Sequence, residues 1–411
     1  RQHCLARAYG ATATRVEPNA KPMTTTPFPD PVGAAKSLRP EIIAAREEID
    51  GSRRLPPALS AAMTKANLFQ LYMPASMGGP EIDPITAYHA VEQVSIADGS
   101  AGWCCFVSSG VSMYSGWVPP QLGRELFGNP PDLRIAGSFR PEGTARAVDG
   151  GYRVNGRWDF ASGIHHSNWL FFNCIVLDEN VPRRSGDGSH ISRMMMLPVE
   201  QAEIHDSWSV MGLRGTGSND FSVDDRFVPE DRTFALFSTP LETGPLFNPR
   251  ASIVMTWTLL AANALGMARG AMATLLQLAT NYGSPTTPTL LRDRAPVQEV
   301  IGEAEAIINC ARAYTLYAVG KTWAAMCEGK ADPGPEILQG RLAVTHAVRE
   351  SVRAIDLLYH AAGSHAVRQR NDLERYFRDI HTAVQHIGGL PSNYQYGGQV
   401  LLGLPPGASG W

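Results

Sequence analysis

The spacing of hydrophobic positions divides this chain into three parts. From Ala34 to about Gly128, apolar residues recur every three or four positions, which predicts helices broken by turn signals. From about Leu133 to Pro229 the period changes to two, in runs such as ARAVDGGYRVNGRWDF, which predicts antiparallel strands joined by tight turns. After about Asn248 the helical spacing returns in four long segments, which predicts a four-helix bundle.

These patterns predict an α+β protein divided into five segments. Residues 1–30 are expected to be a disordered tail or an added extension, in which Met23 is a candidate natural start. Residues 31–132 are expected to form an N-terminal α domain, 133–240 a central β-barrel or sandwich, and 241–395 the bundle. Residues 396–411 are expected to be a C-terminal tail.

Composition and charge narrow the possible partners. The 411 residues are 44% hydrophobic, enough for a large buried core, and 36 basic against 39 acidic residues give a net charge of -3. Without a run of like charges, neither nucleic acid nor an acidic membrane is an expected partner, and no apolar run is expected to reach the length of a membrane span. The six cysteines lack a CxxC spacing, which favours reduced thiols and a cytoplasmic location.

The segment WDFASG, residues 158–163, ends a predicted strand with chemistry suited to a flat cofactor ring. Such a ring needs an aromatic wall, a closely approaching backbone and a hydrogen-bonding group, and Trp158, Phe160 and Ser162 supply them. In the alternative interpretation both aromatics are core residues and Ser162-Gly163 is a turn. From this segment alone, the alternative is favoured.

Two other motifs carry less chemistry. GLRGTGS, residues 212–218, resembles a phosphate-binding loop but precedes a strand instead of a helix, so a tight turn is predicted. The adjacent His165 and His166 lack a third ligand at metal-site spacing, and no metal site is expected.

The last predicted helix, DLERYFRDIHTAVQHIGG, has a polar face that includes Arg375, Asp379, Thr382 and His386. Glu374 with Arg378, and Arg375 with Asp379, are spaced to form ion pairs. His386 is expected at the helix end, where it either points into a cleft or caps the helix as a cation. Periodicity leaves both possibilities open.

The order of the domains and several segments together resemble the acyl-CoA dehydrogenase fold. The closer resemblance is to its flavin-dependent monooxygenase branch, which comprises the oxygenase components of two-component aromatic hydroxylases and the dibenzothiophene monooxygenase. The segments that carry the resemblance are LYMPASMGG, GSAGW, AGSFRPEGTA, NGRWDFASGIHHSNW, SWSVMGLRGTGSNDFSVDDRFVPE and DLERYFRDIHTAVQH.

The resemblance implies a choice between two reactions. In acyl-CoA dehydrogenases the carboxylate that removes the substrate proton commonly lies just after the last bundle helix, whereas here no Asp or Glu follows Asp379 in RDIHTAVQHIGG. The resemblance therefore favours a monooxygenase. The alternatives are an acyl-CoA dehydrogenase or oxidase with a displaced base, such as Glu303 or Glu305, and a non-catalytic flavin-binding or ligand-binding homologue.

For a monooxygenase, the resemblance implies reduced FMN or FAD and O2, which react to a C4a hydroperoxyflavin. His386 is then catalytic, with a pKa near neutrality that lets it supply a proton. Ser162 is expected to hydrogen-bond the flavin near N5, and Trp158, Phe160 and Trp103 to border the ring or the substrate. Three further residues are expected at the substrate pocket: Ser138, Ser109 and Ser112. The 109–112 region lacks a histidine found in some phenol hydroxylases, so the resemblance does not imply that route to a phenolate.

The resemblance also implies a binding site for the flavin phosphates. Arg292 and Gln298 match the basic and amide positions of the first bundle hairpin, with Arg294 as an alternative, and Gly363 and Ser364 match a turn of close approach. A neighbouring subunit of a homotetramer is expected to take part. Since no nicotinamide fingerprint is present, a separate NAD(P)H-dependent flavin reductase is the implied partner, and the implied substrate is a small aromatic or heteroaromatic molecule.

Overall fold

A computed structural model describes residues 28–283, 289–368 and 372–406. The N-terminal part is helical, and several of its helices start on proline, which suits the first turn because the N–H that proline lacks would be unpaired there. Asp30, Asp83 and Asp98 cap helices by accepting backbone N–H groups. The helices are α1 (Pro31–Ala44), α2 (Arg46–Ser52), α3 (Pro57–Lys65), α4 (Pro84–Ala97), α5 (Gly99–Ser112) and α6 (Pro120–Phe127).

The central part forms one eight-stranded sheet in the order β6-β7-β2-β1-β3-β5-β8, with β4 paired to β3. The strands are β1 (Ile135–Val148), β2 (Gly151–Trp158), β3 (Trp169–Asp178), β4 (Val181–Pro182), β5 (Ser192–Pro198), β6 (Glu203–His205), β7 (Asp220–Pro229) and β8 (Thr233–Phe234).

The sheet is mixed, which corrects the prediction of a purely antiparallel domain. β1 and β3 are parallel, whereas the other strand pairs run antiparallel as predicted. The reason is that β1 lies between β2 and β3, so the chain must cross β1 after β2 before it enters β3. The crossing segment, residues 159–168, contains Phe160 and Ser162.

The C-terminal part contains the four predicted bundle helices and one more. The helices are α7 (Ser252–Asn281), α8 (Ala295–Cys327), α9 (Gly334–Ala362), α10 (Asp372–Ala383) and α11 (Ser392–Leu401). Helix α7 is central, since it packs against α4, α5, α8, α9 and α10. Helix α11 crosses the predicted boundary between bundle and tail at residue 395. Residues 1–27, most of the predicted N-terminal tail, lie outside the described residues.

Helix α7 corrects the expectation that no segment matches a membrane span. By length and hydropathy it passes that test, but 78% of its most apolar window is buried inside the protein. It is therefore explained as a core helix enclosed by its neighbours.

The hydrophobic core is divided between the two faces of the sheet. Successive residues of a strand point to opposite faces, so Phe171 joins the large core shared with the helices while Leu170 and Phe172 join a second core that belongs to the sheet. The crossing segment between β2 and β3 thus reaches the junction of sheet and helices.

Candidate active site

Three elements bring Trp103, Ser162 and His386 together. Helix α5 carries Trp103, the segment that crosses β1 carries Ser162, and the chain after α10 carries His386. The indole Nε1 of Trp103 donates to Ser162 Oγ at 3.1 Å, and its ring centroid lies 5.7 Å from that of His386. Trp103 therefore links the two predicted catalytic residues, whose roles remain predictions.

His386 lies in an aromatic surrounding that keeps it neutral. Its ring meets Trp103, Phe106 and Trp257 nearly edge-on, with centroid distances of 5.7, 5.9 and 6.2 Å. Burial lowers the pKa of His386 from 6.5 to about 4. This pKa lies below the near-neutral value that the family resemblance implied.

The local backbone fixes the tautomer of His386. Helix α10 ends at Ala383, and His386 caps the short 3-10 turn that follows, accepting the Gly388 N–H at Nδ1 over 3.1 Å. Because Nδ1 accepts, the neutral ring carries its proton on Nε2. Of the two possibilities that the sequence left open, the cationic C-terminal cap is replaced by a neutral N-cap of the following turn, whose Nε2–H can donate to another partner.

Ser162 is supported by the turn at residues 213–218. Leu213 and Gly217 adopt positive φ angles of 51° and 50°, which confirms the predicted tight turn in GLRGTGS. Backbone N–H groups of Ala161 and Gly163 donate to carbonyls of Asn219 and Thr216, which fixes the crossing segment on this turn. The Ser162 hydroxyl lies 2.7 Å from Ser218 Oγ.

Phe160 presents an aromatic face next to Ser162. It is 53% exposed and has a φ of 59°, an uncommon conformation for a bulky residue that is concentrated at functional sites. Its ring meets Trp208 edge-on at 6.0 Å, and the Arg140 guanidinium lies 5.3 Å from its centroid. This geometry fits the predicted aromatic wall.

The structure argues against the predicted cofactor contact of Trp158. Its side chain is fully buried in the core of the sheet, stacked 5.2 Å from Phe221, and its indole N–H donates to the Asn173 carbonyl at 2.8 Å. The alternative interpretation, a core residue, describes it correctly. The side chain has neither an exposed face nor a free donor for a ligand.

Ser109 and Ser112 are also displaced from the predicted pocket. Both are fully buried, and their hydroxyls donate to the carbonyls of Leu68 and Ser109, respectively. Ser109 additionally accepts the Leu71 N–H. They hold α5 in place, so they are corrected to packing residues. Ser138 lies buried in β1, and its substrate role remains a prediction.

The predicted phosphate-binding residues form a second group at one end of the bundle. A bridge between Gly283 and Leu290 closes the α7–α8 hairpin, where Gln298 Nε2 donates to the Arg292 carbonyl at 2.9 Å. The turn containing Gly363 and Ser364 meets this hairpin, because His365 in the same turn lies 5.3 Å from the Tyr282 ring. The hairpin and the turn are neighbours, as a shared role requires.

Helix α10 holds the 213–218 turn through a buried carboxylate. Asp379 Oδ1 accepts the Leu213 N–H at 2.6 Å, and burial, followed by the nearby Asp98 carboxylate, raises the pKa of Asp379 to about 7. Arg375 faces Asp98 at 3.7 Å instead of forming the predicted pair with Asp379. Arg375 and Asp379 are buried where α10 packs against α5, α7 and α9, and of the predicted pairs only Glu374–Arg378 is confirmed.

Two cavities lie elsewhere in the described part of the chain. One of about 510 Å³ is lined by α9 residues and Val384, and another of about 430 Å³ lies between α9, Arg250 and the chain near Val400. Neither is lined by Trp103, Ser162 or His386. Within residues 28–283, 289–368 and 372–406, no group of three His, Cys, Asp or Glu side chains is placed to hold a metal ion.

Sequence reasoning missed four residues of this site: Phe106, Thr216, Ser218 and Trp257. Phe106 and Trp257 surround His386 from two helices that are distant in sequence. Thr216 and Ser218 were hidden in a segment interpreted only as a turn. Their signal was two hydroxyl residues flanking Gly217, whose positive φ turns both side chains to the same side, 2.6 Å apart.

The fold and the aromatic site define a class of protein. A helical domain, a central sheet and a helical bundle follow one another along the chain, which is the arrangement of the acyl-CoA dehydrogenase fold, and Trp103, Ser162 and His386 come together where the three parts meet. The acyl-CoA dehydrogenase N-terminal domain model matches residues 33–117, and the C-terminal domain model matches residues 258–389.

Relatives place the chain more narrowly. The oxygenase subunit HsaA of a flavin-dependent monooxygenase from Mycobacterium tuberculosis is 30% identical over 92% of this chain and 96% of its own length. Indole-3-acetate monooxygenase from Pseudomonas putida is 30% identical over 87% and 90%. The chain belongs to the acyl-CoA dehydrogenase family, in its flavin-dependent monooxygenase branch, as predicted.

Solved structures agree with this assignment. The M. tuberculosis HsaA crystal structure superposes with a TM-score of 0.84 at 28% identity, covering 93% of this chain and 99% of its own. XiaF from Streptomyces, solved with FADH2 and glycerol, also has a TM-score of 0.84, at 27% identity and with 92% and 96% coverage. The predicted fold class is confirmed.

Proposed function

We propose that this protein is the oxygenase component of a two-component monooxygenase. It takes reduced FMN or FAD from a separate NAD(P)H-dependent reductase and uses O2 to hydroxylate a small aromatic or heteroaromatic substrate. The observation that carries the proposal is His386, which puts an uncharged imidazole N–H in an aromatic site where a dehydrogenase needs a carboxylate.

The site residues fit a flavin. A flavin ring is flat, largely apolar and edged with hydrogen-bonding atoms, and the exposed Phe160 ring, the Ser162 oxygen and the His386 Nε2–H offer matching groups around Trp103. When bound, the reduced flavin supplies the electrons that activate O2. Trp103, Phe106 and Trp257 shield part of the half-buried His386 ring from water, and His386 holds its proton at Nε2 for donation.

The alternative enzyme, an acyl-CoA dehydrogenase with a displaced base, is less well supported. Glu303 forms an ion pair with Arg353 at 2.6 Å, and Glu305 forms one with Arg269 at 2.5 Å. Both carboxylates are thus engaged with arginines at partly or fully exposed positions. A general base needs a free carboxylate that faces the reacting carbon.

The substrate class follows from the walls of the site and from the relatives. Aromatic side chains surround His386 on several sides, and such walls favour a flat apolar substrate with few polar groups. A relative named for indole-3-acetate supports a heteroaromatic ring. Indole-3-acetate and indole are therefore the first compounds to test.

The remaining expectations concern assembly and location. We infer that Arg292, Gln298, Gly363 and Ser364 bind the flavin phosphates of a neighbouring subunit in a homotetramer, and that the protein is cytoplasmic. Support comes from the exposed Arg292 side chain on the α7–α8 hairpin, next to the 363–365 turn. Arg292→Ala separates the phosphate-binding role from the proposed tetramer. If Arg292 binds the flavin phosphates, its replacement should lower the measured flavin affinity, while mass photometry should still detect the tetramer.

The function is tested by the fate of oxygen. Reduced flavin, O2 and an aromatic substrate are mixed with wild-type protein and His386→Ala, and product and hydrogen peroxide are measured per reduced flavin. We expect wild-type protein to form product and His386→Ala to form mainly peroxide. An equal product yield from both proteins would contradict the role of His386.

The competing enzyme makes a different prediction in the same preparation. A dehydrogenase with oxidised flavin bound would bleach when an acyl-CoA is added anaerobically. The monooxygenase assignment predicts unchanged absorbance under those conditions.

A further inference from the structure

The hydroxyl groups behind Ser162 form a continuous hydrogen-bonded chain. Thr216 Oγ1 donates to the Leu213 carbonyl oxygen at 2.8 Å, and Thr216 Oγ1 and Ser218 Oγ are 2.6 Å apart. Ser218 Oγ and Ser162 Oγ are 2.7 Å apart. All three hydroxyl residues are buried, so bulk water does not compete for these hydrogen bonds.

The direction of this chain is set at its carbonyl end. A carbonyl oxygen only accepts, so the Thr216 proton points to Leu213 and Thr216 Oγ1 must accept from Ser218. Ser218 Oγ must then accept from Ser162. The reverse direction would leave the Thr216 and Leu213 oxygens 2.8 Å apart with no proton between them, which is repulsive.

Trp103 determines what remains free on Ser162. An indole N–H is a donor only, and it occupies one of the two lone pairs of Ser162 Oγ at 3.1 Å. The Ser162 proton is already given to Ser218. Ser162 Oγ therefore has one lone pair left, and toward any group outside the chain it acts as an acceptor.

We propose that Ser218 and Thr216 are positioning residues that keep Ser162 an acceptor, and that the site thereby selects reduced over oxidised flavin. The inference rests on the proposed function. N5 of a reduced flavin carries a proton and donates, whereas N5 of an oxidised flavin only accepts. If N5 faces Ser162, as the family resemblance implies, Ser162 would complement the reduced form, whereas the oxidised form would set two acceptors against each other unless the hydroxyl chain broke.

The physical consequence is a difference between two affinities. A hydrogen bond that exists for one redox form and is replaced by an unpaired buried acceptor for the other changes binding by about tenfold. Discrimination of this kind arises because the site rejects the wrong form as well as binding the right one. An oxygenase that exchanges flavin with a reductase needs a higher affinity for reduced than for oxidised flavin, since it must capture the reduced form and release the oxidised form.

The test is equilibrium binding of both redox forms to the full chain. Dissociation constants for FMN and FAD are measured in air for the oxidised forms and anaerobically for the reduced forms, with wild-type protein and Ser218→Ala. Without Ser218 the Ser162 proton loses its acceptor and is free to turn to oxidised N5. We expect oxidised flavin to bind about three- to tenfold more tightly, with little change for reduced flavin.

The matched control is Ser167→Ala. The Ser167 hydroxyl donates to the Gly163 carbonyl at 2.9 Å, near Ser162 but outside the chain, so both dissociation constants should stay at the wild-type values. If Ser218→Ala does not fold, Thr216→Val serves instead. In Thr216→Val the Ser218 proton loses its acceptor and turns to Ser162, which frees the Ser162 proton. The dissociation constants of oxidised and reduced flavin should then become more similar, as in Ser218→Ala.

The outcomes separate the inference from the function beneath it. If wild-type protein prefers reduced flavin and a folded Ser218→Ala or Thr216→Val protein keeps the wild-type ratio, the inference is wrong and the proposed function stands. If wild-type protein binds neither redox form of FMN or FAD, the proposed function fails and the inference fails with it.

Discussion

Replacing His386 by glutamine tests whether the site uses a neutral donor or a cation. With a pKa of about 4, His386 is protonated in about one molecule in a thousand at pH 7. Charging it at pH 7 therefore costs about 4 kcal/mol, at 1.36 kcal/mol for each of three pH units. The neutral Nε2–H carries no such cost, and glutamine keeps an uncharged N–H donor that alanine lacks.

The product yield per reduced flavin of wild-type protein should show no histidine inflection between about pH 5 and pH 8, because the ring stays neutral throughout. His386→Ala loses one preorganised donor and should form product about 100-fold more slowly than wild-type protein, so that more of the reduced flavin ends as hydrogen peroxide. His386→Gln keeps a donor and should therefore give a higher product yield per reduced flavin than His386→Ala.

The assay quantifies product and hydrogen peroxide per reduced flavin over a pH series. The matched control is His381→Gln, since His381 lies in the last turns of α10, shortly before His386 in the chain, but pairs with Asp356 at 2.9 Å. A cationic His386 would instead make the wild-type yield fall as the pH rises, with a midpoint near pH 6.5, and this inflection would disappear in His386→Gln but persist in His381→Gln.

Three further predictions concern the support of the site. Asp379→Asn should remove a pH dependence of the free energy of unfolding. Because folding raises the pKa of Asp379 from 3.8 to about 7, its protonated carboxyl stabilises the fold by about 4 kcal/mol below about pH 4. This contribution decreases as the pH rises and is lost once the pH has passed 7. Melting temperatures should therefore diverge in favour of Asp379→Asn at pH 8 relative to pH 5, and parallel curves would contradict the shift. Trp158→Phe should destabilise the fold by about 1–3 kcal/mol, because the buried Asn173 carbonyl loses the indole N–H that it accepts. Flavin affinity should stay unchanged. Weaker flavin binding at unchanged stability would restore the predicted cofactor role of Trp158. Gly212→Ala should displace the 213–218 turn, because the new Cβ would lie 2.0 Å from the Arg378 carbonyl oxygen. It should weaken flavin binding more than Gly186→Ala, a control at an exposed glycine. Equal flavin affinities of the two variants would show that α10 does not position this turn.

Much of the fold is readable in the sequence because each part buries its own periodic face. Helical spacing identified the four bundle helices, and alternating spacing identified the strands of the sheet. The parallel pairing of β1 and β3 was missed, because periodicity gives the faces of a strand but not its neighbours. That pairing matters here, since it sends Phe160 and Ser162 across the sheet to the helices.

The site was predicted in part, and the failures have local causes. Trp103, Ser162 and His386 lie together as the family resemblance implied. Trp158 was misplaced because two aromatics at alternate positions look alike in sequence, although only Phe160 takes the positive φ that turns it outward. The pKa of His386 depends on rings from distant helices, so burial was invisible in the sequence.

Predicted contacts along α10 show the same limit. Glu374 and Arg378 pair as expected from their spacing, but Arg375 turns to Asp98 on another helix. The spacing of charges along one helix shows which side chains are able to meet, whereas tertiary packing decides which do. Helix α10 consequently packs a buried Asp379 against the turn that supports Ser162.

The central claim, oxygen insertion with reduced flavin, is tested most directly with isotopic oxygen. The purified protein is given chemically reduced FMN or FAD, ¹⁸O2 and either indole-3-acetate or indole, and the products are analysed by mass spectrometry. The account predicts one ¹⁸O atom in a hydroxylated product that forms only when protein and reduced flavin are both present. Product oxygen drawn from water, or hydrogen peroxide alone with every aromatic compound while an acyl-CoA is oxidised, would contradict it.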